Sequence, residues 1–455
     1  MKLFIALLGF FLIIKKFFFW LWLWQLKEYH LGRFKAHFET QKIKKILSSF
    51  WRFKLPRFTP KTIVISFAGI FLILWLIFSF PDKYFYFTLF ALIVLTPLLS
   101  SLVVFIFQVP TVILRNRILK KAKEKRKKFK NLLVIGITGS YGKTSTKEFL
   151  AQILSEKYRV LKTKEHQNSE MGISRSILKD LTKEDEIFVV EMGAYNKGGI
   201  KLLSDIARPK IGLITGVNEQ HLSTFGTMEN LLSSEGGKEL VESLSNNKSK
   251  VLLKGLPVET MVFLNAQNKY CLNLYQEIKN LKKFLYGQEI KTAGLENIEG
   301  AKAVARELGL REEQIQKACQ KIENMIPGIE IKKGKNGLTV IDATYSANPT
   351  GVIAHLEYLR NWPNKRIIVM PCLIELGKAS KKIHEKIGRK INEICDLAII
   401  ITKDRFEQIK EEAGQKAILI EKPEKILEKI KNFSRSGDVI LLEGRVPQKL
   451  VKNLC

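Results

Sequence analysis

Residues 132–145 read Leu132-Leu133-Val134-Ile135-Gly136-Ile137-Thr138-Gly139-Ser140-Tyr141-Gly142-Lys143-Thr144-Ser145. The first six are apolar and rich in β-branched side chains, the signature of a short buried strand. After Thr146 the run KEFLAQILSEKY carries helical periodicity. A strand, a glycine loop ending in Gly-Lys-Thr and a helix form the P-loop arrangement. Glycines let backbone N–H groups close around phosphate, and the helix N-terminus adds positive partial charge. Gly139, Ser140, Tyr141, Gly142, Lys143, Thr144 and Ser145 are therefore expected to cradle the phosphates of a nucleotide such as ATP. Lys143 would reach the β- and γ-phosphates, and the Thr144 hydroxyl would bind Mg2+. Only two residues separate the glycines, fewer than in the common G-x-x-x-x-G-K-[ST] loop.

Downstream, strands and helices alternate. Phe188-Val189-Val190 leads into Glu191, and Ile211–Thr215 leads towards Asn218 and His221. α/β proteins place ligand-binding groups at such strand ends. Leu338-Thr339-Val340-Ile341 precedes Asp342, and Asn348-Pro349 beyond it is a turn signal. The runs VIAHLEYLR, RIIVMPC, HEKIGRKINEIC, LAIIIT and DVILLEG continue as βα units and predict a second, smaller parallel-sheet domain. The expected class is α/β, with a P-loop central domain over 131–325 and a Rossmann-like C-terminal domain over 326–455.

Upstream the composition changes. The chain has 455 residues and a formal charge of +31, of which +20 falls in residues 1–130. With 46% hydrophobic residues it is not a disordered chain. Its five cysteines lack a C-x-x-C spacing, which excludes a zinc ribbon and fits a reduced compartment. Between the basic runs lie three apolar stretches, 3–24, 63–80 and 84–107. The last two are uncharged and long enough to cross about 30 Å of hydrocarbon as helices. The first is interrupted by Lys15 and Lys16, lacks a small-residue cleavage site and ends in clustered tryptophans, so it is expected to be retained. Segments 25–61 and 108–130 carry ten Lys/Arg each, whereas the 81–83 turn carries one. The positive-inside rule then predicts three spans in a cell (inner) membrane, an outside N-terminus and a cytoplasmic body. The basic helix 115–130 suits anionic lipid head groups. The basic runs have no base-stacking aromatic pattern, so nucleic acid is not an expected partner.

The loop TGSYGKT with its following T-K-E resembles that of the Mur ligase family, ATP-dependent amide ligases of peptidoglycan precursor synthesis, and within it the MurF branch, which adds D-Ala-D-Ala. Further motifs recur in order over roughly 131–455. Val190-Glu191-Met192-Gly193 looks like the strand ending in E-[LM]-G. Thr215 to Leu222, with Asn218 and His221, resembles T-N-x-x-x-H-L, and Phe225-Gly226-Thr227 continues the pattern. Asp342-Ala343-Thr344-Tyr345-Ser346-Ala347-Asn348-Pro349 looks like D-D-S-Y-N-A-N-P, and Glu375-Leu376-Gly377 with His384 resembles E-L-G…H. The resemblance implies that Glu191 is a Mg2+ ligand, that Asn218 faces adenine and that His221 faces a second Mg2+. It places Asp342, Tyr345 and Asn348 at the nucleotide, and Asn168 near substrate or phosphate. It also implies the chemistry: ATP converts a carboxylate to an acyl phosphate, which an amine then attacks. ATP would lie between the central and C-terminal domains, with closure accompanying catalysis. The partners implied are a cell-wall precursor acceptor and a short peptide or amino-acid amine.

The chain departs from the family in places. Where the family has a carbamylated Lys, the alignment lands on Glu235; either Glu235 supplies the carboxylate directly or Lys238 does the carbamate's work. Asn265-Ala266-Gln267-Asn268 replaces N-A-D-D, and Ile329 stands where an Arg usually precedes the last domain. The family's N-terminal uridine-nucleotide domain gives way to the apolar region 1–130, which leaves open a UDP-linked or a lipid-linked acceptor. Two other readings compete: a poly-γ-glutamate synthetase type of membrane ligase, and an inactive nucleotide-binding scaffold at the membrane.

Overall fold

The computed structural model describes residues 2–26, 29, 34, 54–164, 167–247, 250–288, 296–322, 329–344 and 347–455. It divides into two compact units, Met1–Arg117 and Ile118–Cys455.

The first unit contains helices α1 (Lys2–Leu26), α2 (Pro60–Phe78) and α3 (Phe85–Ile106). Among the described residues three helical stretches are long and apolar enough to cross a membrane, Phe4–Leu26, Pro60–Phe78 and the one that begins at Phe85. Their inward faces meet in one cluster that includes Ile13, Phe17, Trp24, Ile65, Ile73, Leu92 and Val104. Their outward faces carry exposed Phe67, Phe71, Phe87, Phe90 and Leu98. α2 starts in a capping box: the Thr59 hydroxyl accepts the Thr62 N–H, the Thr62 hydroxyl accepts the Thr59 N–H, and Pro60 occupies the first turn. The Pro97 ring in α3 removes the N–H that would bond the Ile93 carbonyl. Lys16 Nζ donates to that carbonyl at 2.7 Å, so one bond accommodates both an embedded ammonium and an orphaned acceptor.

α4 (Gln108–Lys128) runs through the division between the units, and its C-terminal half belongs to the second. There Leu119 and Ala122 enter the core of the central domain. The buried Arg126 guanidinium donates to the carbonyls of Ala207 (2.9 Å), Phe129 (2.8 Å) and Leu132 (3.1 Å). Burial, and to a lesser extent the positive Arg208, push its pKa down to about 10.

The central domain is built on a six-stranded sheet. Its strands are β1 (Leu133–Thr138), β2 (Val160–Lys162), β3 (Ile187–Glu191), β4 (Ile211–Ile214), β7 (Met261–Asn265) and β8 (Lys282–Tyr286), while β5 (Val251–Leu253) and β6 (Leu256–Val258) form a separate hairpin. The order is β2-β3-β1-β4-β7-β8, with every pair parallel. β1, β3 and β4 are buried along their whole length, as near-continuous apolar strands covered on both faces must be. Helix α5 (Lys143–Leu154) packs on one face with Phe149, Leu150, Ile153 and Leu154, and α6 (Gly199–Ala207) on the other with Ile200, Leu203 and Ile206.

The C-terminal domain has its own six-stranded sheet of β9 (Glu330–Lys333), β10 (Thr339–Ala343), β11 (Arg366–Met370), β12 (Leu397–Ile400), β13 (Ala417–Leu419) and β14 (Val439–Glu443). The order is β13-β12-β11-β14-β10-β9, parallel except for the antiparallel edge strand β9. Helices α7 (Pro349–Tyr358) and α8 (Ser380–Ile394) cover one face. Ile329 packs against that core.

Candidate functional site

The strand order puts β1 between β3 and β4, so three strand ends converge. Ile137 is in register with Glu191, and Thr138 with Ile214. Beyond Thr138 the chain turns at Gly139, φ +139°, where a Cβ would lie 2.2 Å from Thr215 Oγ1 and 2.9 Å from the Gly216 carbonyl. The loop is held by its neighbour strand: Ser140 N–H donates to the Gly216 carbonyl at 2.7 Å, and the Thr215 hydroxyl contacts the carbonyls of Thr138 (3.1 Å) and Tyr141. Gly142, φ +73°, is the N-cap of α5, and a Cβ there would strike Asn297 Oδ1. Lys143, Thr144 and Ser145 form the half-buried first turn of the helix. Lys143 Nζ donates to the Gly139 carbonyl at 2.5 Å, folded across the loop. Burial pushes the Tyr141 phenol up to about 12, although the Asn268 amide at its hydroxyl pulls the other way.

Glu191 ends β3 with only 5% exposure. Its Oε1 accepts from Asn168 Nδ2 at 3.0 Å. Its Oε2 faces the fully buried Lys147, whose Nζ lies 3.4 Å away and 3.2 Å from Glu148 Oε1. Lys147 makes no aligned hydrogen bond; it acts as a buried positive charge beside the carboxylates. The Asn168 segment is tied down by Gly193 N–H, which donates to the Asn168 carbonyl at 2.9 Å.

Glu235 caps the helix Met228–Ser234 and is 1% exposed. Its Oε2 accepts from Ser140 Oγ at 2.9 Å, which places a carboxylate directly against the phosphate loop. Lys238 lies one short turn further on and faces elsewhere: it pairs with Glu277 at 2.8 Å and its side chain is 49% exposed. Glu239 is also buried, but accepts from the N–H groups of Gly198 and Lys201 and from the Ser234 hydroxyl, a capping role at the start of α6.

The C-terminal domain meets this site at Asn218 and His221. Asn218 Nδ2 donates to Asn348 Oδ1 (3.1 Å) and Thr350 Oγ1 (2.9 Å), and Asn348 also caps α7 through the Gly351 N–H. His221 Nδ1 lies 2.8 Å from Glu375 Oε2. Asp342, at the end of β10, bonds Lys332 Nζ at 2.7 Å and the Thr344 N–H at 3.1 Å. Burial raises its pKa, but Lys332 and Thr344 outweigh it and hold the carboxyl below its ordinary value. Tyr345 lies outside the described residues.

The structure thus gathers the loop 139–145, Glu191, Asn168 and Glu235, with Asn218 and Asn348 meeting across the domains. Lys238 and Asp342 are engaged with Glu277 and Lys332. Sequence reasoning gave Lys147 no role, and it met Asn268 and Asn297 only within segments that depart from the family's N-A-D-D and G-x-H-N-x-x-N motifs. Asn268 Nδ2 donates to the Val217 carbonyl at 2.9 Å and reaches the Tyr141 hydroxyl at 3.3 Å, while Asn297 Oδ1 accepts from Thr146 Oγ1 at 3.3 Å. The T-K-E tail of the loop motif was the one signal for Lys147. A 530 Å3 depression lined by Ser155, Lys157, Arg159, Glu184 and Lys254 sits at the far end of α5 and takes no part. Among the described residues no three His, Cys, Asp or Glu side chains converge as a closed metal site. One carboxylate and one hydroxyl beside a phosphate loop fit Mg2+, which usually keeps water and takes its remaining ligands from substrate phosphates.

Comparison with known proteins gives two family matches: the Mur ligase middle domain at residues 137–322, and the Mur ligase glutamate ligase domain at 329–446. A UDP-N-acetylmuramoyl-tripeptide--D-alanyl-D-alanine ligase of Synechocystis is 30% identical over 290 residues, 57% of this chain and 59% of the relative. One of Bacillus subtilis is 25% identical over 350 residues, 70% of this chain and 75% of the relative. The chain thus spans less than two thirds of the Synechocystis relative. The crystal structure of MurF ligase from Thermotoga maritima in complex with ADP superposes with a TM-score of 0.60 at 26% identity, covering 74% of this chain and 83% of that one.

Proposed function

The chain belongs to the Mur ligase family, and from that premise we propose that it is a membrane-anchored, MurF-like ATP-dependent ligase that forms an amide bond in peptidoglycan precursor synthesis. Residues 131–325 would bind ATP, residues 326–455 would close over it, and residues 1–130 would hold both at the cytoplasmic face of the inner membrane. The observation that carries the reading is the convergence of the Lys143 loop, Glu191 and Glu235 at adjoining strand ends, beside Asn218 and His221, which reach the C-terminal domain.

The acceptor carboxylate attacks the γ-phosphorus of ATP, forming an acyl phosphate and releasing ADP. An amine then adds to the acyl carbon, and the tetrahedral intermediate expels phosphate. Both steps are chiefly positioning and charge-neutralisation problems. Lys143 unfolds from the Gly139 carbonyl to meet the β- and γ-phosphate oxygens, and the loop N–H groups hold the rest of the chain of phosphates. Mg2+ bound with the nucleotide supplies further neutralising charge, with Thr144, Glu191 and His221 as the residues to hold it. Glu235 supports the loop through Ser140 and takes the place of the family's carbamate. Asn168 sits on the Glu191 side, where the acceptor would approach.

The test is phosphate release by the purified full chain in detergent, with Lys143→Ala as the blank. The amines compared are D-Ala-D-Ala and glutamate, and the acceptors are UDP-N-acetylmuramoyl-tripeptide and a lipid-linked muramoyl peptide. Release that needs Lys143 and D-Ala-D-Ala supports the proposal. Release with glutamate alone, or none with any pair, overturns it.

A further inference from the structure

The segment that follows β11 is fixed by a buried histidine. His384 on α8 is fully buried. Its Nδ1 lies 2.6 Å from the Ser380 carbonyl and so carries the proton, while its Nε2 accepts the Leu373 N–H at 3.0 Å. Burial pushes its pKa below the ordinary value, which keeps Nε2 an acceptor. The Cys372 N–H is likewise held, by Thr402 Oγ1 at 2.8 Å. The loop therefore enters Glu375 with little freedom, and Glu375 adopts φ +67°, a left-handed conformation that non-glycine residues rarely take.

Its counterpart across the domains is equally unusual. His221 has φ +66°. Glu375 meets it twice: the Glu375 carbonyl accepts the Ser223 N–H at 3.1 Å, and the carboxylate lies 2.8 Å from His221 Nδ1. The Tyr195 ring packs edge-on against the imidazole, with centroids 5.4 Å apart. Rare backbone conformations persist where the surroundings over-determine them, and they cluster at functional sites.

We infer that Glu375 is a positioning residue for His221: its carboxylate holds the proton on Nδ1, which leaves the Nε2 lone pair free and aimed as a ligand or acceptor. A ring nitrogen's partner sets the tautomer of the other nitrogen, and such outer partners orient metal-binding histidines. Because Glu375 belongs to the C-terminal domain and His221 to the central domain, His221 is poised only while the two are seated together. The Glu375-Leu376-Gly377…His384 pattern then has a physical meaning: His384 fixes the loop, the loop aims Glu375, and Glu375 orients His221. The consequence for Mg2+ rests on the proposed ligase reading; the tautomer does not.

The experiment uses the full chain in detergent, labelled with 15N-histidine. His221 is assigned among the six histidines by comparison with His221→Gln. Wild type is expected to show His221 protonated at Nδ1. Glu375→Ala should move the proton to Nε2, the position that an unpartnered histidine side chain prefers, whereas Glu375→Gln, whose amide oxygen still accepts, should retain Nδ1–H. In parallel, Mn2+ binding is read by EPR with ADP present. Glu375→Ala should weaken it roughly 10- to 100-fold, with metal-free ADP affinity unchanged and Glu375→Gln intermediate. An Nε2-protonated His221 in wild type, or an unchanged tautomer and Mn2+ affinity in Glu375→Ala, would overturn the inference. If wild type and Lys143→Ala bind ADP equally poorly, the ligase reading fails, and the tautomer still decides the role of Glu375.

Discussion

Replacing Glu235 tests whether this chain has dispensed with a carbamylated lysine. The carboxylate is buried and takes a 2.9 Å hydrogen bond from Ser140 Oγ, so it contributes a charged acceptor where the loop must stay rigid. A hydrogen bond to a charged group contributes about 1.5–3 kcal/mol. If that stabilisation is needed mainly while the phosphoryl group transfers, its loss costs roughly 10- to 150-fold in kcat. Glu235→Gln keeps the shape and an acceptor oxygen but removes the charge, so it should fold normally and lose the lower part of that range. Glu235→Ala removes both and should lose the upper part. Lys238→Ala breaks only a half-exposed pair with Glu277, worth at most about 1 kcal/mol of stability, and should keep full activity. The assay is the initial rate of phosphate release in degassed buffer, with and without added bicarbonate. Wild type should be indifferent to bicarbonate. A bicarbonate requirement that disappears with Lys238→Ala along with the activity, while Glu235→Gln remains at the wild-type rate, would refute the assignment.

Three further perturbations follow from buried ionisable groups. Arg126→Met leaves three carbonyls without donors; relief of the guanidinium's burial offsets part of the loss, and the net should be about 2–4 kcal/mol, read as a melting temperature lower by roughly 5 °C. Lys147→Met leaves Glu191 buried with Asn168 as its remaining described partner; the protein should lose about 3 kcal/mol and regain part of it with Mg2+ and ADP, and a melt indifferent to both would contradict the pairing. His384 is held neutral by burial, with Arg405 adding to the effect and the Ser380 carbonyl and Asp404 opposing it. The unfolded chain then binds the extra proton first, so the contribution of His384 is complete above about pH 6.5 and is lost as pH falls through the folded value. The resistance of wild type to urea should therefore decline as pH falls below about 6.5 more than that of His384→Gln does.

Much of the site could be read in the sequence because its parts are local. A strand, a glycine loop and a helix form one continuous segment, and Glu191 and Asp342 are the residues on which apolar runs end. What periodicity could not separate was Glu235 from Lys238, three positions apart in a run of small and charged residues. The separation comes from Gly236-Gly237. Gly237 adopts φ +90°, where a Cβ would also collide with Ile214 Cδ1 at 2.2 Å, so the helix ending at Ser234 stops and another begins at Lys238. The two side chains consequently leave in different directions, one towards Ser140 and the other towards Glu277.

The residues that escaped sequence reading are those whose meaning depends on a distant partner. Lys147 is one of several charges in its helix, and beyond the T-K-E tail of the loop motif nothing local distinguishes it; it is buried because Glu191, 44 positions away, ends the neighbouring strand. The apolar N-terminal region shows the same dependence twice over. Lys16 interrupts one hydrophobic run and Pro97 interrupts another, and taken separately each weakens the case for a membrane span. An ammonium in hydrocarbon needs an acceptor, and a proline in a helix leaves one carbonyl unpaired. The Ile93 carbonyl that Pro97 leaves without its helical donor is the one that Lys16 takes at 2.7 Å, so each apparent fault satisfies the other. The pairing ties α1 to α3, and the second observation agrees: Trp24 Nε1 donates to Ser101 Oγ at 3.0 Å further along the same helix pair.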